Sequence, residues 1–154
     1  MNITLVLGRI LFVLVFIWSG VQKLMDIPAT ANTIGGKVVL PDMITAYTPQ
    51  LEAASGMNTP TMLAILVGVV EIGAALMIAA NLGARVGAVL LILFTIATIW
   101  YFHPFWTMTG ADREANMIQA LKNLSLIGGL LVIFVIGPWR PGYDRYPEPA
   151  TERM

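Results

Sequence analysis

Four apolar stretches, separated by more polar segments, dominate the pattern of this chain. At a rise of about 1.5 Å per residue, a helix of about 20 residues crosses the hydrocarbon core of a bilayer. The stretches therefore predict membrane-spanning helices, and the short connections after the second span favour an all-α, up-and-down four-helix bundle. The predicted spans cover about residues 3–24, 62–80, 86–102 and 116–136.

The first stretch also has features of a secretory signal, because Arg9 precedes an apolar run and the small residues Ser19 and Gly20 follow it. The apolar part is longer than a signal core, and no A-x-A cleavage pattern follows it. We therefore interpret this stretch as a transmembrane helix.

The segment over residues 26–61 differs in kind, because prolines and glycines interrupt it repeatedly. Two short helices are predicted, near residues 28–34 and 41–54, and the second is interrupted at Pro49. The apolar side chains of this long loop indicate that it lies on the membrane surface or caps the bundle. The tail over residues 138–154 is rich in proline and charge, and we expect it to be irregular.

Composition agrees with a membrane protein of a single domain over residues 1–154. Only 12% of the residues are charged, whereas soluble domains carry about 25%. The net charge is zero, so nothing indicates a nucleic-acid partner. The chain has no cysteine, which excludes a disulfide framework and a thiol relay within it. Because the chain also has only one histidine, no metal site is predicted.

The carboxylate of Glu71 lies at the centre of the second span. An ionisable group at that depth should face the bundle interior and meet a partner. Arg9 and Lys122 are expected at nearby depths, so either is a candidate partner. Lys23, at the end of the first span, is expected to extend toward the headgroups. The candidate intramembrane polar site comprises Arg9, Gln22, Lys23, Glu71, Gln119, Lys122 and Asn123.

Two interpretations of this polar set stay open. In the first, a buried ion pair with amide helpers fixes how the helices pair. In the second, the same groups line a cavity that binds a polar ligand head, such as a quinone carbonyl, or relay a proton.

Aromatic residues cluster at the end of the third span, which is typical of an interfacial belt. A stacking platform for a ring-shaped ligand is the alternative. The aromatic interface comprises Trp100, Tyr101 and Trp106.

Basic residues give a weak orientation signal. Arg9, the turn with Arg85 and the tail place five basic residues on the side of the termini, against four on the other. Cytoplasmic loops carry the excess of Lys and Arg. We therefore expect both termini in the cytoplasm and the long loop outside.

Four segments, taken in order, resemble the DoxX family of small bacterial membrane proteins. They are GRILFVLVFIWSGVQKLMD (Gly8–Asp26), GVVEIGAALMIAANLGARVGAVLL (Gly68–Leu91), REANMIQALKNLSLIGGLLVI (Arg113–Ile133) and the closing G-P-W-x-x-x-x-D (Gly137–Asp144). The resemblance implies a four-span, multi-pass bundle in the bacterial cytoplasmic (inner) membrane. It also implies a link to redox enzymes, because one relative is a membrane subunit of a thiosulfate:quinone oxidoreductase and others belong to oxidative-stress complexes.

The resemblance leads to one main expectation about function. The chain is expected to be an integral membrane subunit of an oxidoreductase, which anchors a redox partner or helps form a quinone site. No cofactor is intrinsic to it, and quinone is the candidate ligand. Its expected partners are the lipid bilayer, a protein partner or larger complex, and a second copy of itself. The alternatives are a non-catalytic anchor or assembly protein and, ranked last, a small-molecule carrier, because no span is broken at mid-membrane.

Overall fold

The computed structural model describes residues 3–137 of the chain, so the predicted irregular tail lies outside the described residues. Four of its helices are long and apolar enough to cross a membrane, which confirms the predicted fold class. The long helices are α1 (Ile3–Met25), α5 (Thr59–Ala79), α6 (Ala84–Phe102) and α7 (Gly110–Ile136). The shorter ones are α2 (Ile27–Gly35), α3 (Asp42–Thr45), α4 (Thr48–Ser55) and a 3₁₀ turn over Phe105–Thr107.

Small residues set the close contacts between the long helices. α1 packs on α5, α5 on α6, and α6 on α7. Gly20 and Gly68 face each other across α1 and α5, and a Cβ added to Gly20 would lie 3.0 Å from the Gly68 carbonyl oxygen. A Cβ on Gly87 would lie 2.6 Å from the Ala74 carbonyl oxygen of α5. Such small residues let helix backbones approach in lipid, where no hydrophobic force drives helices together.

The main core fills the half of the bundle that holds the start of α1 and the end of α7. Large apolar side chains also cover the outside, as expected for a surface that faces lipid; Trp18 is 67% exposed and Val135 is 74% exposed. The core residues are Val13, Phe16, Ala74, Ala75, Ile78, Ala88, Leu91, Leu130 and Ile133.

The long loop forms a cap on the other half of the bundle. Asp26 caps α2 by accepting a hydrogen bond from the Ala29 backbone N–H. Ala31 and Ile34 of α2 then pack on Ala64 of α5, which holds the cap against the bundle.

Two helix boundaries differ from the prediction. The helix predicted over residues 41–54 with an interruption at Pro49 consists of α3 and α4, and the break falls at residues 46–47 instead, because Pro49 lies in the first turn of the new helix, where its missing N–H costs nothing. α7 begins at Gly110 rather than near residue 116, so its first turns are polar.

Candidate functional site

A cavity of about 740 Å³ lies in the half of the bundle beneath the cap. Its walls come from the second half of α1, the first half of α5, the second half of α6 and the middle of α7, and α2 covers its outer end. The exposed surface of the lining is mostly apolar, although thirteen of the twenty-five wall residues carry a polar side chain. Those polar side chains are Ser19, Gln22, Lys23, Asp26, Thr30, Thr33, Lys37, Glu71, Thr95, Thr98, Tyr101, His103 and Asn123.

The inner part of the cavity holds an ion pair. Lys23 Nζ lies 2.8 Å from Glu71 Oε2 and also donates a hydrogen bond to Ser19 Oγ, one turn back on α1. The Glu71 side chain is 1% exposed, whereas that of Lys23 is 26% exposed. The ammonium group also lies 5.4 Å from the centre of the Phe94 ring, within the range of a cation–π contact.

The partner of Glu71 is therefore neither Arg9 nor Lys122, and the expectation that Lys23 extends to the headgroups is wrong. The reason lies in side-chain direction. Helical side chains lean toward the N-terminus of their helix. Because Lys23 is near the C-terminal end of α1, its side chain leans back into the bundle, to the depth of Glu71.

Arg9 has a different role in the structure. Its guanidinium donates a hydrogen bond to the Gly137 carbonyl oxygen over 2.8 Å, and Arg85 donates to the Phe134 carbonyl oxygen. Two arginines from α1 and α6 thus meet the unpaired carbonyls at the C-terminal end of α7, where positive charge is favourable. Arg9 does not line the cavity.

The polar residues that the sequence places on α7 face different surroundings. Asn123 lines the cavity, whereas Gln119 and Lys122 are exposed and lie outside it. Asn116 pairs instead with His103, whose Nδ1 lies 3.1 Å from Asn116 Oδ1. The rotation of α7 about its axis, fixed by its packing on α6, decides which of these side chains faces inward.

Two amides in the cavity are open to a ligand. Gln22 and Asn123 both line it, and within residues 3–137 neither side chain has a hydrogen-bond partner. By contrast, the hydroxyls of Thr95 and Thr98 donate to backbone carbonyls one turn back on α6. The amides can therefore both donate to and accept from a bound molecule.

The aromatic residues predicted as one interface separate into two groups. Trp100 and Trp106 are exposed and contact each other, with ring centroids 5.4 Å apart, outside the cavity. Tyr101 lines the cavity, and its hydroxyl donates to the Val39 carbonyl oxygen of the cap.

Sequence reasoning missed several wall residues. Thr95 and Thr98 were detectable, because they are the polar residues of an otherwise apolar span and share a helix face. Phe94 carried no such signal, since one aromatic residue in an apolar span is indistinguishable from a packing residue.

The family model described as DoxX matches residues 4–104 of the chain. The chain belongs to the DoxX family. The match contains both members of the ion pair, whereas Asn123 of α7 lies beyond it.

Two curated relatives share the membrane setting of this DoxX chain. It is 32% identical over 143 residues to the Inner membrane protein YphA of Escherichia coli. The matched residues cover 93% of this chain and 89% of the relative. It is 28% identical over 102 residues to the Inner membrane protein YqjF of the same organism, which covers 66% and 75%. No solved structure matches the chain.

The cavity of this DoxX chain suits a small amphipathic molecule. Ligand pockets usually measure about 300–1,000 Å³ and combine apolar walls with few polar groups. Among the residues that the structure describes, no group of three His, Asp or Glu side chains is placed to hold a metal ion. The cavity offers hydrogen-bonding groups, among them the Lys23 ammonium and the amides of Gln22 and Asn123, beside the aromatic ring of Phe94.

Proposed function

We propose that this chain is the membrane subunit of a quinone-linked oxidoreductase and that its cavity binds the quinone headgroup. The observation that carries the proposal is the Lys23–Glu71 ion pair, which lies inside a largely apolar cavity within the membrane-spanning bundle. A quinone ring needs this combination, because its faces are apolar and its two carbonyl oxygens accept hydrogen bonds.

Lys23 has a donor to offer such a carbonyl. The Lys23 ammonium has three protons. One is donated to Glu71 Oε2 and one to Ser19 Oγ. Among the acceptors of residues 3–137, the third has the Ser19 carbonyl oxygen at 3.5 Å, which is a weak contact. A ligand oxygen that approaches through the cavity would replace this contact with a shorter hydrogen bond.

The amide of Asn123 supplies a second donor, from the wall that α7 forms. Phe94 and Leu126 lie on the cavity wall beside these polar groups and offer apolar surface to a ring. Hydrogen bonds from two sides fix the orientation of a ring, and the apolar walls supply most of the favourable free energy.

A redox partner follows from the same proposal. With no cysteine, the chain cannot reduce a quinone through a thiol relay. The proposal assigns the supply of electrons to a partner protein, which this chain anchors while it binds the quinone. Association with a second copy stays a prediction.

The proposed setting is the inner membrane, with both termini in the cytoplasm. The turn at Arg85 and the tail with Arg140, Arg145 and Arg153 carry the basic residues of the terminal side. Because Lys23 is engaged in the ion pair, it contributes less to the count on the other side.

The test measures quinone binding to the purified protein in lipid nanodiscs. Asn123→Leu removes one donor without breaking the ion pair, and we expect a loss of affinity of about tenfold, which corresponds to about 1.4 kcal/mol. Lys122→Met is the matched control, because Lys122 is the neighbouring residue but is exposed outside the cavity. Wild-type protein that binds no quinone, or equal affinities for both variants, would contradict the proposal.

A second candidate function is a non-catalytic anchor in which the ion pair only joins α1 to α5. The favouring observation is that the ion pair lies beside the Gly20–Gly68 contact, where the two helices are already close. In this case the double variant Lys23→Met with Glu71→Met should still assemble with its partner, and the complex should retain its quinone-linked activity. Under the quinone proposal, the same double variant assembles but is inactive.

A further inference from the structure

We propose that the ligand enters the cavity sideways, from the lipid, through a portal between α1 and α7. This inference rests on the proposed function and adds the class of ligand: a ring headgroup with an apolar tail that stays in the bilayer. Four residues define the portal, namely Val15, Gln22, Asn123 and Leu126.

α1 and α7 contact each other in the half of the bundle near the chain termini. Arg9 donates to the Gly137 carbonyl oxygen there, and the Phe12 ring fills the space that a side chain at Gly129 would need. Val13 and Phe16 of α1 also share a core with Leu130 of α7. Side chains therefore fill the space between the two helices as far as Phe16, which is also the first core residue to line the cavity.

The next turns of the same two helices line the cavity instead. Ser19 and Gln22 of α1 and Asn123 and Leu126 of α7 are all wall residues. Val15 is 48% exposed although it lines the cavity, and Gln22 is exposed as well. A side chain that both lines a cavity and is exposed marks a place where that cavity reaches the surface. This surface belongs to the hydrophobic stretch of α1 and so faces lipid.

The aqueous end of the cavity is only partly covered by the cap, because the wall residues Asp26, Thr33 and Lys37 are exposed there. α2 packs on α5, Tyr101 holds the chain at Val39, and the Lys37 ammonium lies 5.5 Å from the centre of the Phe102 ring. Polar and charged cap residues, such as Asp26 and Lys37, line this end. A long apolar tail is costly to place in such surroundings, whereas at the portal it stays in hydrocarbon.

The tail position also explains the mixed character of the walls. Polar groups lie where the headgroup would bind, near Lys23 and Asn123, while the apolar Val15 and Leu126 lie farther along the same two helices, toward the half that holds the main core. A water-soluble ligand would not reach an apolar opening that faces hydrocarbon. The geometry therefore favours a molecule that is dissolved in the membrane.

The experiment compares a long-tailed quinone with a tail-less analogue of the same ring, each titrated against the full chain in nanodiscs. Val15→Trp places bulk in the portal. Leu14→Trp is the matched control, because Leu14 is the adjacent residue, is 49% exposed and lies outside the cavity. We expect Val15→Trp to weaken binding of the tailed form at least tenfold, at least five times more than binding of the tail-less form, and Leu14→Trp to change neither more than twofold.

A second pair of variants protects the test against misfolding of the first. Leu126→Trp blocks the portal from α7, and Leu124→Trp is its exposed control outside the cavity. Unchanged binding of the tailed form, or an equal loss for both forms, overturns the portal while the headgroup site stands. Failure of the wild-type protein to bind either form overturns the proposed function and the portal together.

Discussion

At the residue scale, the Lys23–Glu71 ion pair is asymmetric. Glu71 is almost fully buried, and its one ionic partner within residues 3–137 is Lys23. Lys23 is partly exposed. When Glu71 is replaced by a neutral residue, Lys23 still has its hydrogen bond to the Ser19 hydroxyl. Because a buried unpaired charge costs more than a partly solvated one, the two partners should not be equivalent in mutation.

Removal of Lys23 should therefore destabilise the protein more than neutralisation of Glu71. We expect Lys23→Met to lower the free energy of unfolding by about 3–5 kcal/mol and Glu71→Gln by about 1–2 kcal/mol. Denaturation in detergent, followed by circular dichroism, measures both. Lys122→Met should change stability by less than about 0.5 kcal/mol as an exposed control. Equal losses for Lys23→Met and Glu71→Gln would show that the asymmetry of burial has no energetic consequence.

At the scale of elements, glycines decide how near the helices come. Gly20 and Gly68 bring α1 and α5 together, and this contact places Lys23 within reach of Glu71. The cap depends on local hydrogen bonds: Glu52 of α4 accepts from both the backbone N–H and the hydroxyl of Thr59 at 2.6 Å, which joins α4 to the start of α5.

A methyl group at the α1–α5 contact should be destabilising. The Cβ of Gly20→Ala would lie 2.7 Å from Ile72 Cγ1 and 3.0 Å from the Gly68 carbonyl oxygen, so the helices must move apart. We expect a loss of about 1–3 kcal/mol in the free energy of unfolding, measured in detergent. Gly8→Ala on the same helix meets open space and should be neutral or slightly stabilising. If both variants are equally stable, the close approach does not limit the packing.

The contact between α4 and α5 should weaken in acid. The hydrogen bonds from Thr59 hold the pKa of Glu52 below its ordinary value of 4.5. A lowered pKa in the folded state means that the contact stabilises the cap above that ordinary value and is lost as the pH falls through the lowered one. Hydrogen exchange of residues 48–60, corrected for intrinsic rates, should therefore rise at acidic pH. Glu52→Ala should raise it already at pH 7, whereas Glu114→Ala should not; unchanged protection in both would contradict the role of Glu52.

At the scale of the whole molecule, the bundle has a closed half and a hollow half. The closed half carries the main core and the two arginines at the end of α7, whereas the hollow half carries the cavity and the cap. The proposed orientation places the cap outside the cytoplasm, so the cavity opens toward the outer part of the bilayer.

The absence of cysteine makes this orientation easy to test, because a single introduced thiol reports its own side. Ser55 ends α4 in the cap, and Leu82 lies in the turn between α5 and α6 on the opposite side. In intact cells, a membrane-impermeant maleimide should label Ser55→Cys, whereas Leu82→Cys should react only after the membrane is opened. The reverse pattern would place the cap in the cytoplasm.

The sequence by itself determined the four spans, their order and the family. In a bilayer, each backbone polar group must be satisfied inside its own segment, so the length of an apolar stretch predicts a helix without knowledge of its neighbours. The inward position of Glu71 followed from the same principle, since a carboxylate facing lipid is costly. The short loop helices were detectable from proline at their first turns, although the break between α3 and α4 was misplaced.

The partner of Glu71 and the shape of the cavity were decided by the tertiary structure alone. Gln22, Lys23 and Asn123 line the cavity with Glu71, while Arg9, Gln119 and Lys122 do not. Depth in the membrane can be counted along a sequence, but the rotation of each helix about its axis cannot. That rotation is fixed by contacts such as Gly20 with Gly68, which bring together residues far apart in the chain.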